Sequence, residues 1–130
     1  MAVTITSVSH DNLLSFTGVG TWRRDSRGVH LRCTVRDEEG HELVSSVHLG
    51  AGKALVDNGS YRLLLDPARP TAARLGRESG LPELTVTTCL VRDDSGPGGG
   101  EIQFRYTLSA MERTLQAMQV TVALRPMERE

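Results

Sequence analysis

Aromatic side chains are scarce in this chain, which has one Trp, two Tyr and two Phe among 130 residues. A surface that reads single-stranded nucleic acid needs exposed stacking aromatics as well as cations. Charge of one sign is also missing: Lys+Arg 15 against Asp+Glu 16 leaves a formal net charge of -1. No global field therefore recruits nucleic acid or anionic lipid. No apolar run approaches the ~18 residues that a membrane span requires. Met1-Ala-Val-Thr-Ile5 lacks the basic region and apolar core of a secretory leader. The two cysteines, Cys33 and Cys89, stand far apart without CxxC spacing. That usage fits reduced thiols better than a disulfide or a zinc site and makes the cytoplasm the expected location. Helical spacing is nearly absent.

What is present is alternation with period two, cut at short intervals by turn chemistry. Ala2–Val8 and Leu13–Arg24 read as strands around the turn Ser9-His-Asp-Asn12. Asp25-Ser-Arg-Gly28 leads into Val29–Arg36, where Val29, Leu31, Cys33 and Val35 alternate with His30, Arg32, Thr34 and Arg36. Glu42–Leu49, Lys53–Val56 and Tyr61–Leu65 follow, the last two joined by Asp57-Asn-Gly-Ser60, whose Asn-Gly pair suits a type I′ turn. Residues 66–83 are the least regular. Thr71–Arg77 reads as a strand, though Ala72, Ala73 and Leu75 fit a short helix almost as well. Leu84–Arg92 sets Leu84, Val86, Thr88 and Leu90 on one face, and Asp93–Gly100 reads as a flexible hairpin loop. Ile102, Phe104, Tyr106, Leu108 and Ala110 then alternate regularly, and Leu115–Arg125 carries Met118, Val120, Val122 and Leu124.

Eight or nine strands joined by short connections imply antiparallel neighbours. Closing the sheet removes its two exposed edges. The expectation is an all-β fold: a single antiparallel up-and-down β-barrel of about eight strands over residues 1–125, with a flexible tail at 126–130. Such a barrel is either filled by its own side chains or holds one small ligand.

FTGVGTW, residues 16–22, bears on that choice. Leu14, Phe16, Gly18, Gly20 and Trp22 share a face, so the glycines stand where inward side chains would otherwise crowd. Either they let a coiled strand bend while Trp22 plugs one end, or they floor a pocket walled by Phe16 and Trp22. Catalytic patterns are lacking. His10 and His41 fall in turns, and His30 and His48 on outer faces; none has a partner at metal-ligand spacing. There is no Gly-x-Ser-x-Gly elbow, and Ser95–Gly100 lacks the Lys-Ser/Thr of a phosphate loop. Cys33 reads as packing and Cys89 as the thiol on the opposite face. Arg23, Arg24, Arg32 and Arg36, with His30, form a basic strip on paired strands, with Glu38, Glu39 and Glu42 nearby as partners.

Gly20-Thr-Trp22 resembles the Gly-x-Trp signature of the lipocalin side of the calycin superfamily. There the tryptophan closes the barrel and an arginine from a late strand packs across it, a part that Arg105 or Arg125 would take here. A broader resemblance, covering nearly the whole chain, is to the bacterial YwiB-like family of calycin-like barrels of unknown function. It is carried by the order Val3-Thr-Ile-Thr-Ser7, Phe16-Thr-Gly18, Asp57-Asn-Gly-Ser-Tyr61, Leu84-Thr-Val-Thr-Thr88, Gly99-Gly-Glu-Ile-Gln-Phe-Arg-Tyr106 and Val120-Thr-Val122. Gly80-Leu-Pro-Glu83 departs from that layout. The resemblance implies a calycin-type barrel in a bacterial cytoplasm and no particular activity.

The reading that follows is a non-catalytic binder of a small, mostly apolar ligand, with no cofactor, metal, nucleic-acid or membrane partner expected. The expected lining residues are Phe16, Gly18, Trp22, Leu31, Tyr106 and Val122, with Tyr106 as the polar handle. The alternative is a packed barrel acting through its surface, as a protein-interaction or homodimer module. The first requires a cavity of at least ~300 Å³; the second requires a filled interior and an apolar surface patch.

Overall fold

Alternation of apolar and polar residues resolves into ten strands in the computed structural model, which describes residues 1–10, 12–58, 61–75, 84–111 and 113–127. They are β1 (Ala2–Ser9), β2 (Asn12–Asp25), β3 (Gly28–Arg36), β4 (Glu42–Gly50), β5 (Lys53–Asp57), β6 (Tyr61–Leu65), β7 (Thr71–Leu75), β8 (Leu84–Gly96), β9 (Gly99–Ala110) and β10 (Arg113–Arg125). Each pairs antiparallel with its neighbours in sequence, and β1 pairs with β10 to close the barrel. Among the described residues no helix is long and apolar enough to cross a membrane.

The count exceeds the expected eight or nine because β5, β6 and β7, of five residues each, are separate staves. Thr71–Leu75 is extended rather than helical. Thr71, Ala72 and Ala73 pair with Val86, Thr85 and Leu84, while Arg74 and Leu75 pair with Arg62 and Tyr61. The ladder on both sides outweighs the weak helical pattern of so short a segment. The predicted end of that strand at Arg77, the turn at 79–82, the Gly59-Ser60 half of the Asn-Gly turn and the last three residues of the predicted tail lie outside the described residues.

Two segments differ from expectation in register. Thr88 faces Tyr106, Leu90 faces Arg105 and Val91 faces Phe104, so a bulge at Cys89 inserts one residue. The inward position after Thr88 is consequently Val91, which packs against the core, and not Leu90. Asp93–Gly100 is not a loose loop either. Asp93 pairs with Ile102, Ser95 with Gly100 and Gly96 with Gly99, leaving a two-residue turn. The Asp93 carboxylate accepts from the Ser95 backbone N–H at 2.9 Å and from its hydroxyl, which stiffens the tip.

The inward residues make one core, with Val3, Leu31, Val35, Leu65, Val86, Ile102 and Val122 almost wholly buried. Burying each of the larger ones stabilises the fold by about 1.5–3 kcal/mol. Arg23, Arg32, Arg62, Arg92 and Arg105 point outward and are exposed. This apolar interior and charged exterior is the reverse of the polarity of a lipid-facing barrel.

Gly18 makes the curvature possible. It lies between Val3 of β1 and Val35 of β3, and a Cβ added to it would stand 2.0 Å from the Thr34 carbonyl oxygen and 2.7 Å from the Val35 Cα. The backbone of β3 occupies the space of the absent side chain, so Gly18 bends the sheet and floors no pocket. Gly20 is similarly crowded, by the Cys33 Cβ at 2.7 Å. Its carbonyl and N–H bond the Met1 amine and carbonyl at 2.8 and 2.9 Å. Gly18→Ala is expected to destabilise the barrel by about 3 kcal/mol or more in urea denaturation, since the clash is with backbone. Val19→Ala, at an exposed neighbour, should stay within about 0.5 kcal/mol of the parent.

Candidate functional site

In a barrel of this topology the β2–β3, β4–β5, β6–β7 and β8–β9 turns gather with both chain termini at one end. The remaining connections gather at the other. The first end is plugged. Trp22, half-buried, donates its indole N–H to the Ser95 hydroxyl at 2.9 Å across the barrel. The Arg24 guanidinium lies 5.5 Å from the indole centroid and donates to the Ser95 carbonyl at 3.1 Å. Its Nη2 also lies 3.5 Å from the Asp93 carboxylate. Thus the arginine that covers the tryptophan comes from the same strand, two residues on. Neither Arg105 nor Arg125 takes that part; both are exposed. The reason is local, because Arg24 follows Trp22 on the inward face of β2 where that strand reaches the barrel rim.

At the opposite end the interior stays open. A cavity of about 430 Å³ is walled by Ile5, Phe16, Leu43, Phe104, Val120 and Val122, with Tyr106 and Met118 beside them. Ser7, Ser45 and Asn58 put polar groups on the wall, and His41 and Glu42 stand at the mouth. Ten strands supply this room, since barrel diameter rises with strand number. Two buried hydroxyls in the described structure, Ser9 Oγ and Thr88 Oγ1, have no hydrogen-bond partner. Thr88 lies directly opposite Tyr106 on the neighbouring strand.

Of the six residues expected from sequence to line a site, Phe16, Tyr106 and Val122 lie on this cavity. The other three do not. Gly18 is covered by β3, Trp22 plugs the far end, and Leu31, only 2 % exposed, packs in the layer paired with Trp22 and Val47. Ile5, Leu43, Phe104, Met118 and Val120 were missed as lining residues. Their inward phase was readable, but which end of the barrel is plugged was not.

A second concavity, of about 840 Å³, lies on the outer face of β2 to β6 and is open to solvent. It includes Arg23, Arg32 and His30 of the predicted basic strip. The strip is not one continuous cationic surface: Arg24 is turned to the plug, Arg23 pairs with Asp25 at 2.8 Å and Arg36 with Glu42 at 3.0 Å. His30 and His48, neighbours across β3 and β4, stack with centroids 4.4 Å apart. His30 Nε2 lies 3.1 Å from the Asp25 carboxylate and His48 Nε2 3.2 Å from the Arg27 carbonyl, so both nitrogens donate. Asp25 accepts first from the Arg27 backbone N–H, then from His30 and Arg23, and these bonds hold its pKa at about 2 against the ordinary 3.8. Ion pairs exposed in this way bind one another weakly. The apolar cavity inside the barrel is the better place to strip water from a ligand.

His10 lies in its turn and His41 at the mouth. Cys33 is buried, which pushes its thiol pKa up, and Cys89 is exposed at the bulge; both are free.

The fold and site together define an up-and-down antiparallel barrel of ten strands, plugged by a tryptophan at one end and open onto an apolar cavity at the other. The crystal structure of the ywiB protein from Bacillus subtilis has this fold, with a TM-score of 0.78 over 98 % of this chain and 91 % of that one, at 18 % identity. The layout resemblance in the sequence therefore extends to three dimensions, as a shared fold. No protein-family model matches the chain, and no curated protein is significantly similar to it in sequence.

Ser95→Ala is expected to cost about 1 kcal/mol in urea denaturation followed by the fluorescence of Trp22, because it removes the acceptor of the indole N–H. The lowered Asp25 pKa also has a definite sign in pH. Its bonds to the carboxylate contribute stability above pH ~4, and that contribution disappears as pH falls toward ~2. Asp25→Asn should therefore melt below the parent at pH 7, and the difference in Tm should close on acidification over that window.

Proposed function

We propose that this protein is a non-catalytic binder of a small, mostly apolar molecule held inside the barrel. One observation carries the reading: an apolar cavity of about 430 Å³ open at one end of a barrel whose other end is plugged. Binding sites for small molecules are concave and mainly apolar, with a few placed polar groups, and they begin at ~300 Å³. Phe16, Tyr106 and Val122 supply the wall, and Tyr106 and Ser45 are its polar handles. The two free thiols support a reducing, cytoplasmic setting.

Exposed apolar side chains favour a second reading. Leu13 and Leu14, at the start of β2, are 66 % and 55 % exposed, Leu115 of β10 is 54 % exposed and Met111 between β9 and β10 is 89 % exposed. All four belong to the open end. A homodimer or protein-interaction module would use such a rim.

Native mass spectrometry of the purified protein, before and after incubation with lysate of its host, tests both. The expected result is a discrete small-molecule adduct on a monomer. Val120→Phe adds bulk to the cavity wall at a half-buried position and should remove the adduct while leaving the β circular dichroism unchanged. An adduct retained by a folded Val120→Phe protein, or no adduct in any sample, refutes interior binding. A dimer without adduct selects the rim.

A further inference from the structure

The cavity carries a specificity that its apolar walls alone do not. We propose that its ligand is a single-chain amphiphile whose head group bears no negative charge, an alcohol or amine rather than a carboxylate; this rests on the interior-binding reading above. At roughly 30 Å³ per heavy atom, 430 Å³ holds about fourteen of them, enough for a medium-length alkyl chain with its tail against Phe104 and Val122. The head then sits toward the mouth, where His41 and Glu42 stand.

Among the described residues, the carboxylate that lines that mouth is Glu42. Among the described residues no Lys or Arg lines the cavity. The guanidinium of Arg36, which faces Glu42 across β3 and β4, is engaged by that carboxylate at 3.0 Å. The turn between β3 and β4 adds more negative charge. Asp37 accepts the backbone N–H of His41 at 2.8 Å, then bonds its imidazole and accepts the backbone N–H of Glu39 at 3.0 Å, and these hold its carboxyl below the usual range. The His41 imidazole, the one basic group among the described lining residues, lies 3.0 Å from Asp37 and 3.6 Å from Glu39. It is already shared by two carboxylates. An incoming carboxylate would meet a site of like charge with no Lys or Arg among the described lining residues to receive it. A hydroxyl carries no charge to be repelled by Glu42 and can donate to it, and an ammonium gains from the acidic turn.

The probes are dodecan-1-ol, dodecylamine and dodecanoate, each below the concentration at which it forms micelles, with affinity measured at pH 7.5 by displacement of an apolar fluorophore and stoichiometry by native mass spectrometry. The alcohol and amine should bind one to one, and dodecanoate at least about tenfold more weakly. Dodecanoate binding as tightly as the alcohol overturns the head-group inference while leaving interior binding intact. No binding of any of the three removes interior binding and the inference with it. The doubly substituted Glu39→Gln, Glu42→Gln protein changes only exposed residues. It should narrow the alcohol-to-carboxylate ratio at least threefold, and an unchanged ratio refutes the acidic mouth as the source of the discrimination.

Discussion

The pairing of the first strand with the last is the interaction on which everything else depends. Val3, Ile5 and Ser7 of β1 stand opposite Leu124, Val122 and Val120 of β10, in a ladder from Ala2–Arg125 to Val8–Gln119. Without it the sheet is open, with two edges and no enclosed interior. It also joins residues far apart in sequence, so its loop-closure entropy is recovered only when the whole meander is in place. On its other edge β1 is tied to β2, and the Met1 amine, bonded to the Gly20 carbonyl, carries that ladder one residue beyond the strand.

Closure makes a tube; the side chains make its two ends different. At one end a single bulky indole is bonded across the barrel to Ser95 and covered by Arg24. The crowded glycines of β2 belong to that half, where β1 and β3 come too close to leave space for a Cβ. At the other end β2 carries Phe16 and Leu14 on the cavity instead, and the walls stay apart. One strand therefore bends and plugs at its C-terminal half and lines a pocket at its N-terminal half. The seven residues from Phe16 to Trp22 do both.

Much of this was legible beforehand because alternation is a local signal. Val29, Leu31, Cys33 and Val35 declare the inward face of β3, and the same pattern in Ile102, Phe104 and Tyr106 declares that of β9; all seven are buried. Where one extra residue enters, the signal misleads. The bulge at Cys89 moves the inward position from Leu90 to Val91, and nothing in Thr-Cys-Leu-Val announces it. Composition misled at Asp93–Gly100, where a Gly-rich run reads as a loop yet pairs along almost its full length, held by the Ser95–Asp93 bond within it and by the indole of Trp22 from a distant strand. The site was half legible for a related reason. Phe16, Tyr106 and Val122 have the inward phase and the right end, whereas Gly18, Trp22 and Leu31 have the phase alone.

The sequence by itself determined the class of fold, the antiparallel meander, the faces of most strands and the absence of any familiar catalytic pattern, because each of these follows from neighbours two to ten residues apart. Only the tertiary structure decided the number of staves, the reason for Gly18, the arginine that covers Trp22 and the end at which the barrel opens. Those depend on which strands meet across the closed sheet and how near they come. A contact such as Thr34 against Gly18, or Ser95 against Trp22, is set by the curvature of the whole barrel and leaves no trace in local pattern.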